Sequence, residues 1–262
     1  MDHDRLLALF DRQMRRDAPA DPGCRIERTG QVVRQTADGS GWTAVIWSQL
    51  DEAGADAAIA QQVAHFRADR REFEWKLYSH DRPADLGARL AAAGFTAGPA
   101  ETLMAAPVAG PPDVGPPPGV VLEAVTDAAG VELFVQAQSR AFGRPDDRAR
   151  TWLCELLETA PERTVLVVAL AGGVPVSAAR MDLHPGTEFA SLWGGGTVPG
   201  WRGRGVYRAL VAHRARIAAA RGYRYLQVDA SDLSRPVLER LGFAALSTTT
   251  PYTFPPGDRL GP

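Results

Sequence analysis

The chain has 262 residues, a hydrophobic content of 45% and a formal net charge of −2 at pH 7. This length allows one large domain or two ordinary ones, and the apolar content is sufficient for a full core. The nearly balanced charge gives no reason to expect nucleic acid or an acidic membrane as a partner.

The N-terminal residues lack the apolar core of a secretory signal, and no apolar run approaches the length of a membrane span. The two cysteines, Cys24 and Cys154, match no metal-ligand spacing, so we expect reduced thiols and no metal site. These features indicate a cytoplasmic protein. The strong preference for arginine over lysine is typical of a GC-rich bacterial genome.

Apolar periodicity in the first half of the chain predicts alternating strands and helices. The predicted strands span residues 42–50, 72–79 and 101–106, and the predicted helices span residues 54–70 and 84–93. Gly94 followed by Phe95 closes the second helix, because glycine is the usual C-terminal stop signal.

Residues 107–119 contain six prolines and three glycines. Proline donates no N–H group and glycine is flexible, so this tract is a poor helix or strand. It predicts a semi-rigid linker between a domain at residues 1–106 and a domain at residues 120–262. The alternative is a long surface loop inside one domain.

The second half has a clearer pattern of elements. The predicted helices span residues 127–141, 146–159, 206–221 and 233–241, and the predicted strands span residues 164–170, 174–183, 188–198, 224–229 and 243–254. This order predicts an α/β fold with a mixed central sheet and flanking helices.

Both halves end with the same predicted order of helix, strand, short helix and strand. Gly242 followed by Phe243 repeats the closure at Gly94 and Phe95, 37 residues after residue 205 and 40 residues after residue 54. The spacing indicates a tandem repeat of one supersecondary unit. The first copy has acidic residues, Asp51 among them, where the second has glycine and arginine. Acidic residues repel phosphate, so we expect a degenerate first copy that is structural or shapes the substrate site.

A loop rich in glycine and arginine follows the strand predicted at residues 188–198. It contains Gly200, Arg202, Gly203, Arg204 and Gly205, and a helix is predicted from Val206. Bare N–H groups at a helix start, with cations beside them, bind phosphate. Glycine lets the backbone approach the anion closely. This segment therefore predicts a site for a small molecule that carries phosphates.

The loop segment 202–206 and the strand, short helix and Leu-Gly-Phe sequence at residues 228–243 resemble the GCN5-related N-acetyltransferase superfamily. The resemblance covers residues 120–254. It implies acetyl-coenzyme A as co-substrate, with the pyrophosphate on the loop amides and the pantetheine arm paired with the preceding strand. The residues implied to bind it are Gly196, Thr197, Val198, Arg202, Gly203, Arg204, Gly205, Val206 and Tyr207.

Three positions depart from the family pattern. Tyr207 stands where glycine or alanine is usual, so its side chain must point away from the pyrophosphate. Leu238 stands where the family often has a tyrosine that protonates the leaving thiolate, and Ser231 stands where asparagine is frequent. The match is therefore closer for the cofactor-binding residues than for the catalytic ones.

Acetyl transfer needs a deprotonated amine, hydrogen-bond donors for the oxyanion and a proton for the leaving thiolate. Glu188 is the predicted base, and Asp182 and His184 on the same hairpin are alternatives. The predicted acids are Tyr252 first, then Ser231 and Ser234. A thiol has a pKa of about 8.5, so water can also protonate the thiolate.

The sequence thus predicts an N-acetyltransferase that moves the acetyl group to an amine by direct attack. The acceptor is a small molecule, a peptide N-terminus or a lysine side chain, and the protein is a monomer or homodimer. The alternative is a non-catalytic acyl-CoA-binding sensor or regulatory module. A dinucleotide-binding fold is disfavoured because Arg208 replaces the third glycine of its motif.

Overall fold

A computed structural model describes residues 2–39, 41–143 and 147–256, without the side chains of residues 147 and 148. In these ranges no helix is both long enough and apolar enough to cross a membrane. The chain forms two compact units, one made of Met1–Leu103 and Leu246–Pro262, the other of Met104–Ala245.

The first unit has helices on a mixed sheet. Its helices are α1 (His3–Phe10), which continues as a π-helical turn over Asp11–Arg16, α2 (Ala55–Ala68) and α3 (Leu86–Ala92). Its strands are β1 (Cys24–Thr29), β2 (Val32–Ala37), β3 (Ala44–Ser48), β4 (Phe73–Tyr78), the short β5 (Thr96–Ala97) and most of β12 (Ala244–Phe254). The strand order is β1-β2-β3-β4-β12, and only β3 and β4 run parallel in this order.

Aromatic side chains fill the core between α2, α3 and the sheet of the first unit. The ring of Phe73 lies 4.2 Å from that of Phe66, 5.2 Å from that of Phe95 and 5.8 Å from that of Phe254. These four rings are buried, as is Trp75. Phe254 comes from the far end of the chain, so the core depends on residues that are distant in sequence.

The second unit places helices on both faces of its sheet. Its helices are α4 (Ala128–Phe142), α5 (Asp147–Thr159), α6 (Val206–Ala220) and α7 (Arg235–Arg240). Its strands are β7 (Val120–Ala124), β8 (Thr164–Ala171), β9 (Val174–Leu183), β10 (Phe189–Thr197), β11 (Tyr225–Ala230) and the second part of β6 (Glu101–Pro107). The order is β6-β11-β10-β9-β8-β7, with β10 and β11 parallel.

Alternation along the strands of the second unit divides its side chains between two cores. Leu192 and Leu226 face α6 and pack with Val211, whereas Leu166 and Val168 pack with the apolar side of α4. Period-two alternation in strands and one apolar stripe per helix produce this layering. The predicted α/β class, a mixed central sheet with flanking helices, is confirmed.

Sequence patterns missed α1, β1, β2, β5 and β7. All six residues of β2 are buried although its sequence, VVRQTA, is half polar, so the strand shows no alternation. The buried polar groups have partners: the Arg34 Nη1 donates to Gln62 Oε1 at 3.1 Å and its Nε to Glu27 Oε2 at 3.1 Å. In the second half of the chain, the predicted start of the second helix, at residue 146, lies outside the described residues.

The last strand does not follow the predicted domain boundaries. These boundaries placed every residue after 119 in one domain, whereas most of β12 belongs to the first unit. Residues of β12 from Thr249 to Phe254 pair antiparallel with β4, from Tyr78 to Phe73. The physical reason is burial, because Phe254 completes the aromatic core of the first unit. Strand β6, which follows α3, instead lies beside β11 in the second unit. Each unit therefore uses a strand encoded in the other half of the chain.

A buried arginine anchors the N-terminal segment of the first unit. The Arg15 Nη2 donates to both carboxylate oxygens of Asp81 at 2.8 and 2.7 Å, and its Nη1 donates to Asp11 at 2.7 Å. His80 Nε2 lies 2.9 Å from the other oxygen of Asp11. Burial by itself raises the pKa of Asp11, but the His80 hydrogen bond and the Arg15 charge outweigh it, so the pKa is lowered.

We expect the substitution Phe254→Ala to destabilise the protein by about 3–5 kcal/mol, because it removes a buried ring and leaves a cavity. Urea unfolding followed by tryptophan fluorescence measures the effect. The control Leu233→Ala changes a side chain that is 86% exposed, and it should shift stability by less than about 0.5 kcal/mol. Similar losses in both variants would contradict the role assigned to the C-terminal strand.

We also expect Asp11→Asn to remove an acid-sensitive part of the stability. A carboxyl group whose pKa is lowered by folding stabilises the fold above its unfolded pKa, about 4, and this contribution is lost as the pH falls through the folded value. The variant should be less stable than wild type by about 1–3 kcal/mol at pH 7. Urea unfolding at pH 7, 5 and 3 should show the gap closing, and a gap that stays constant argues against this assignment.

Candidate functional site

A bulge interrupts the pairing of β9 and β10 in the second unit. Two residues of β10, Gly194 and Gly195, stand opposite the single residue Ala179 of β9. Gly194 has a φ of +55°, which favours glycine, and its carbonyl accepts a hydrogen bond from Gln138 Nε2 at 2.9 Å. The three consecutive glycines at 194–196 thus belong to a bulged strand rather than to a loop.

Beyond its first residues, β10 separates from its parallel neighbour β11. The two strands pair from Phe189 with Tyr225 to Ser191 with Gln227, and within the described residues no registered pairs follow, although β10 continues to Thr197. The backbone of β10 after Ser191 is therefore open toward β11. An extended ligand can add to such an edge as if it were another strand.

The loop after β10 presents unpaired backbone amides. In the part of the chain that the structure describes, the amides of residues 203–208 donate no hydrogen bond to the protein, and the first bond of α6 runs from Ala209 N to Gly205 O at 3.0 Å. Gly203 and Gly205 have φ values of +75° and +89°. A Cβ atom at Gly203 would meet nothing within 4 Å. These open N–H groups at a helix start form a cradle for an anion.

Two arginines flank this cradle. The Arg204 guanidinium lies over the Trp201 ring at 4.8 Å, and an Nη atom of Arg208 lies 3.4 Å from the position that a Cβ of Gly205 would occupy. Neither arginine pairs with a carboxylate among the described residues. Sequence reasoning identified Arg204 but treated Arg208 only as a missing glycine. Its place in the first turn of α6, directly after the open amides, is the signal that indicates its position.

Arg202 has a different role from the predicted phosphate contact. Its Nε donates to Thr197 O at 3.0 Å and its Nη2 donates to Ala141 O at 3.0 Å. The guanidinium therefore ties the end of β10 to the C-terminal end of α4. Gly196 lies at the same junction, since a Cβ there would come within 2.8 Å of the Phe142 ring.

Tyr207, the second residue of α6, turns its ring toward the sheet. A Cβ at Gly195 would lie 2.8 Å from the Cε2 atom of Tyr207, so the ring packs directly on the bulge. Burial raises the pKa of Tyr207, and the charge of Arg214 opposes that shift.

Two of the predicted catalytic residues have structural partners of their own. Glu188 precedes β10 and its carboxylate accepts from Arg224 Nη1 at 2.7 Å. Five residue steps of strand, about 17 Å, separate Glu188 from Trp193, so it lies at the other end of β10 from the bulge, and its role as base stays a prediction. Tyr252 belongs to the first unit, where its hydroxyl is 2.6 Å from the position of a Cβ on Gly87. It packs under α3 against the core of that unit, and its role as acid also stays a prediction.

The third predicted residue, Ser231, directly follows β11. Its carbonyl accepts from the amides of Ser234 at 3.0 Å and Arg235 at 2.9 Å, and its hydroxyl lies 3.3 Å from that of Ser234. These contacts begin α7. Ser231 therefore stands at the end of the separated strand, exposed to solvent.

A buried polar chain crosses the sheet where β10 and β11 begin to separate. The Ser191 hydroxyl lies 2.8 Å from His184 Nε2 and accepts from Gln227 Nε2 at 2.6 Å. Two residue pairs beyond the pair of Ser191 and Asp182, Arg180 contacts Asp182 at 3.2 Å and lies over the Trp152 ring at 4.5 Å. Proton-accepting groups thus occur on this face, His184 and Asp182 among them, whereas the sequence ranked Glu188 above both.

Residues 130–243 match the acetyltransferase (GNAT) family. The chain is also similar in fold to a GCN5-related N-acetyltransferase from Kribbella flavida, with 19% identity, 98% of this chain and 95% of that chain covered, and a TM-score of 0.69. A GCN5-related N-acetyltransferase from Sphaerobacter thermophilus gives 18% identity, coverages of 89% and 84%, and a TM-score of 0.61.

A tandem GNAT protein from the clavulanic acid biosynthesis pathway is 16% identical, with coverages of 92% and 86% and a TM-score of 0.61. No curated protein matches the chain. The bulged strand, the separated parallel neighbour and the open amides all lie within or directly beside the matched segment. Residues 130–243 are a domain of the GNAT acetyltransferase family.

We expect Gly195→Ala to destabilise the second unit by about 1–3 kcal/mol, because the new methyl group would overlap the Tyr207 ring. Combined with Tyr207→Leu, the alanine should cost much less, since the smaller side chain leaves space for it. Thermal and urea unfolding of both single variants and the double variant measure this coupling. Strict additivity would show that the ring and the bulge do not pack together.

Proposed function

We propose that the second unit binds acetyl-coenzyme A and transfers its acetyl group to the amine of a small molecule or peptide. The observation that carries the proposal is the set of open amides at residues 203–208, flanked by Arg204 and Arg208. A pyrophosphate fits this cradle because it accepts several N–H groups at once and is favoured by the helix N-terminus.

The open edge of β10 supports the same proposal. From the cradle, an extended pantetheine arm can follow the backbone of residues 196–198 into the gap beside β11. This direction brings a thioester toward the bulge at Gly194 and Gly195. An amide of the bulged strand is a donor for the oxyanion that forms when the amine attacks.

The amine must lose its proton before it attacks the carbonyl. The polar chain of His184, Ser191 and Gln227, with Asp182 on the same hairpin, supplies buried acceptors near the point where the strands part. We therefore assign proton removal to this face rather than to Glu188, either directly or through water. The acceptor approaches from the side of α4 and α5.

We further propose that the first unit is a degenerate copy of the same fold. Its parallel pair, β3 and β4, is joined by α2 in the way that α6 joins β10 and β11. At the start of α2, however, Asp51 Oδ1 accepts from Gly54 N at 2.7 Å. A fixed carboxylate thus occupies the place of the anion, so this copy supports the fold and does not bind the coenzyme.

The matched pair Gly205→Asp and Gly205→Asn tests the cradle. Both side chains tolerate the left-handed backbone at residue 205 and add a similar volume, but only aspartate adds negative charge. We expect the aspartate variant to weaken acetyl-CoA binding by at least tenfold relative to the asparagine variant, measured by isothermal titration calorimetry. Equal affinities in the two variants, or no binding by wild type, would remove the basis of the proposal.

Turnover is tested separately from binding. Wild-type protein, acetyl-CoA and a panel of amines (polyamines, amino acids, aminoglycosides and peptides with free N-termini) should release free thiol, detected with a disulfide reagent. A matched panel of acetylated amines should release none. Binding of acetyl-CoA without thiol release from any amine would favour a non-catalytic acyl-CoA-binding module.

A further inference from the structure

Arg214 is a buried cation that pairs with no carboxylate among the described residues. It is 1% exposed, its Nε donates to Leu210 O at 3.1 Å, and its Nη1 donates to Arg180 O at 2.7 Å. Burial lowers its pKa to about 10. A buried charge without an opposite charge is costly. A negative charge that forms near Arg214 would offset this cost.

Tyr207 lies on the same side of α6 as Arg214, because seven residues, about two turns of helix, separate them. Burial raises the pKa of Tyr207, and the positive charge of Arg214 opposes that shift. The Tyr207 ring packs on Gly195, at the bulge toward which the thioester is directed in the proposed function. The carbonyl that Arg214 contacts belongs to Arg180, which pairs with Trp193 immediately before the bulge. Both side chains therefore lie behind the bulge, on the α6 side of the sheet.

We propose that Tyr207 is the catalytic acid that protonates the leaving thiolate, and that Arg214 is a positioning residue whose charge stabilises the resulting phenolate. The proposal rests on the proposed function, because it needs the thioester at the bulge. Tyr207 would supply the phenol for this step. Leu238 stands on α7 where the family often has the tyrosine, and Tyr252 belongs to the first unit.

The step balances as follows. The amine nitrogen forms a bond to the acetyl carbon, and the bond between that carbon and the sulfur breaks with its electron pair on sulfur. The Tyr207 O–H proton moves to the sulfur and gives the free thiol of coenzyme A. The new amide nitrogen releases a proton, and this proton returns through water to the phenolate, which lies on the same side of the sheet as the Arg214 charge.

Binding of the thiol itself tests the contact without requiring an acceptor. Coenzyme A and desulfo-coenzyme A, which carries hydrogen in place of the thiol, are titrated into wild type, Tyr207→Phe and Tyr223→Phe by calorimetry. We expect Tyr207→Phe to weaken coenzyme A between roughly twofold and tenfold and to leave desulfo-coenzyme A unchanged. Tyr223, a partly buried tyrosine on the same core, is the matched control, and its variant should change neither affinity.

The possible failures are distinguishable. Equal weakening of both ligands by Tyr207→Phe would make the ring a packing residue, and no weakening of either would place the hydroxyl away from the sulfur; each result overturns the inference and leaves the proposed function standing. If wild type binds neither ligand, the proposed function fails and this inference fails with it.

Turnover gives a second measurement once an acceptor is known. Tyr207→Phe should lower kcat by about 100-fold or more while the KM for acetyl-CoA stays nearly constant. Arg214→Gln should move the alkaline limb of the kcat profile to higher pH, because removal of the positive charge disfavours the phenolate, whereas Arg214→Lys should move it less. A variant at residue 214 that lowers stability without moving this limb would limit Arg214 to a structural role.

Discussion

The start of α6 leaves its backbone amides without protein partners, and the proposed chemistry of the second unit depends on this constraint. A helix cannot satisfy its first N–H groups from within, and here the two preceding glycines take left-handed conformations that keep side chains out of the way. In the first unit, the Asp51 carboxylate accepts a hydrogen bond from the amide of Gly54 at the start of α2. The second unit thus leaves these amides open, whereas the first unit satisfies one amide at the start of α2 with its own carboxylate.

The bulge and the helix start act as one assembly. Gly194 and Gly195 remove side chains from β10, Tyr207 fills the space behind them, and Arg202 ties the end of the strand to α4. Glycine at residue 195 leaves the space that the large Tyr207 ring fills. The unusual tyrosine at residue 207 and the run of glycines at residues 194–196 are therefore two sides of the same contact.

Local chemistry explains which features could be predicted from the sequence. The glycine and arginine loop, the helices around it and the strand that precedes it have strong local signals, and the structure contains all of them. Strand β2 could not be found because Arg34 and Gln35 are buried through partners that lie far away in sequence. Glu188 and Tyr252 were selected by residue type, whereas the distance of Glu188 from the bulge depends on strand length, and the unit to which Tyr252 belongs depends on strand pairing. The position of Arg208 could be predicted once α6 was known to begin at Val206, because Arg208 then lies in its first turn.

Strand β12 imposes an order on how the protein is made. The aromatic core of the first unit closes on Phe254, and the ribosome adds this residue only after the whole of the second unit. During synthesis the N-terminal half therefore has an exposed strand edge and uncovered aromatic rings until β12 has been made. We infer that the first unit completes its core only after the second unit has been synthesised. A stop codon anywhere in β12 would then destabilise the part of the polypeptide that was synthesised first.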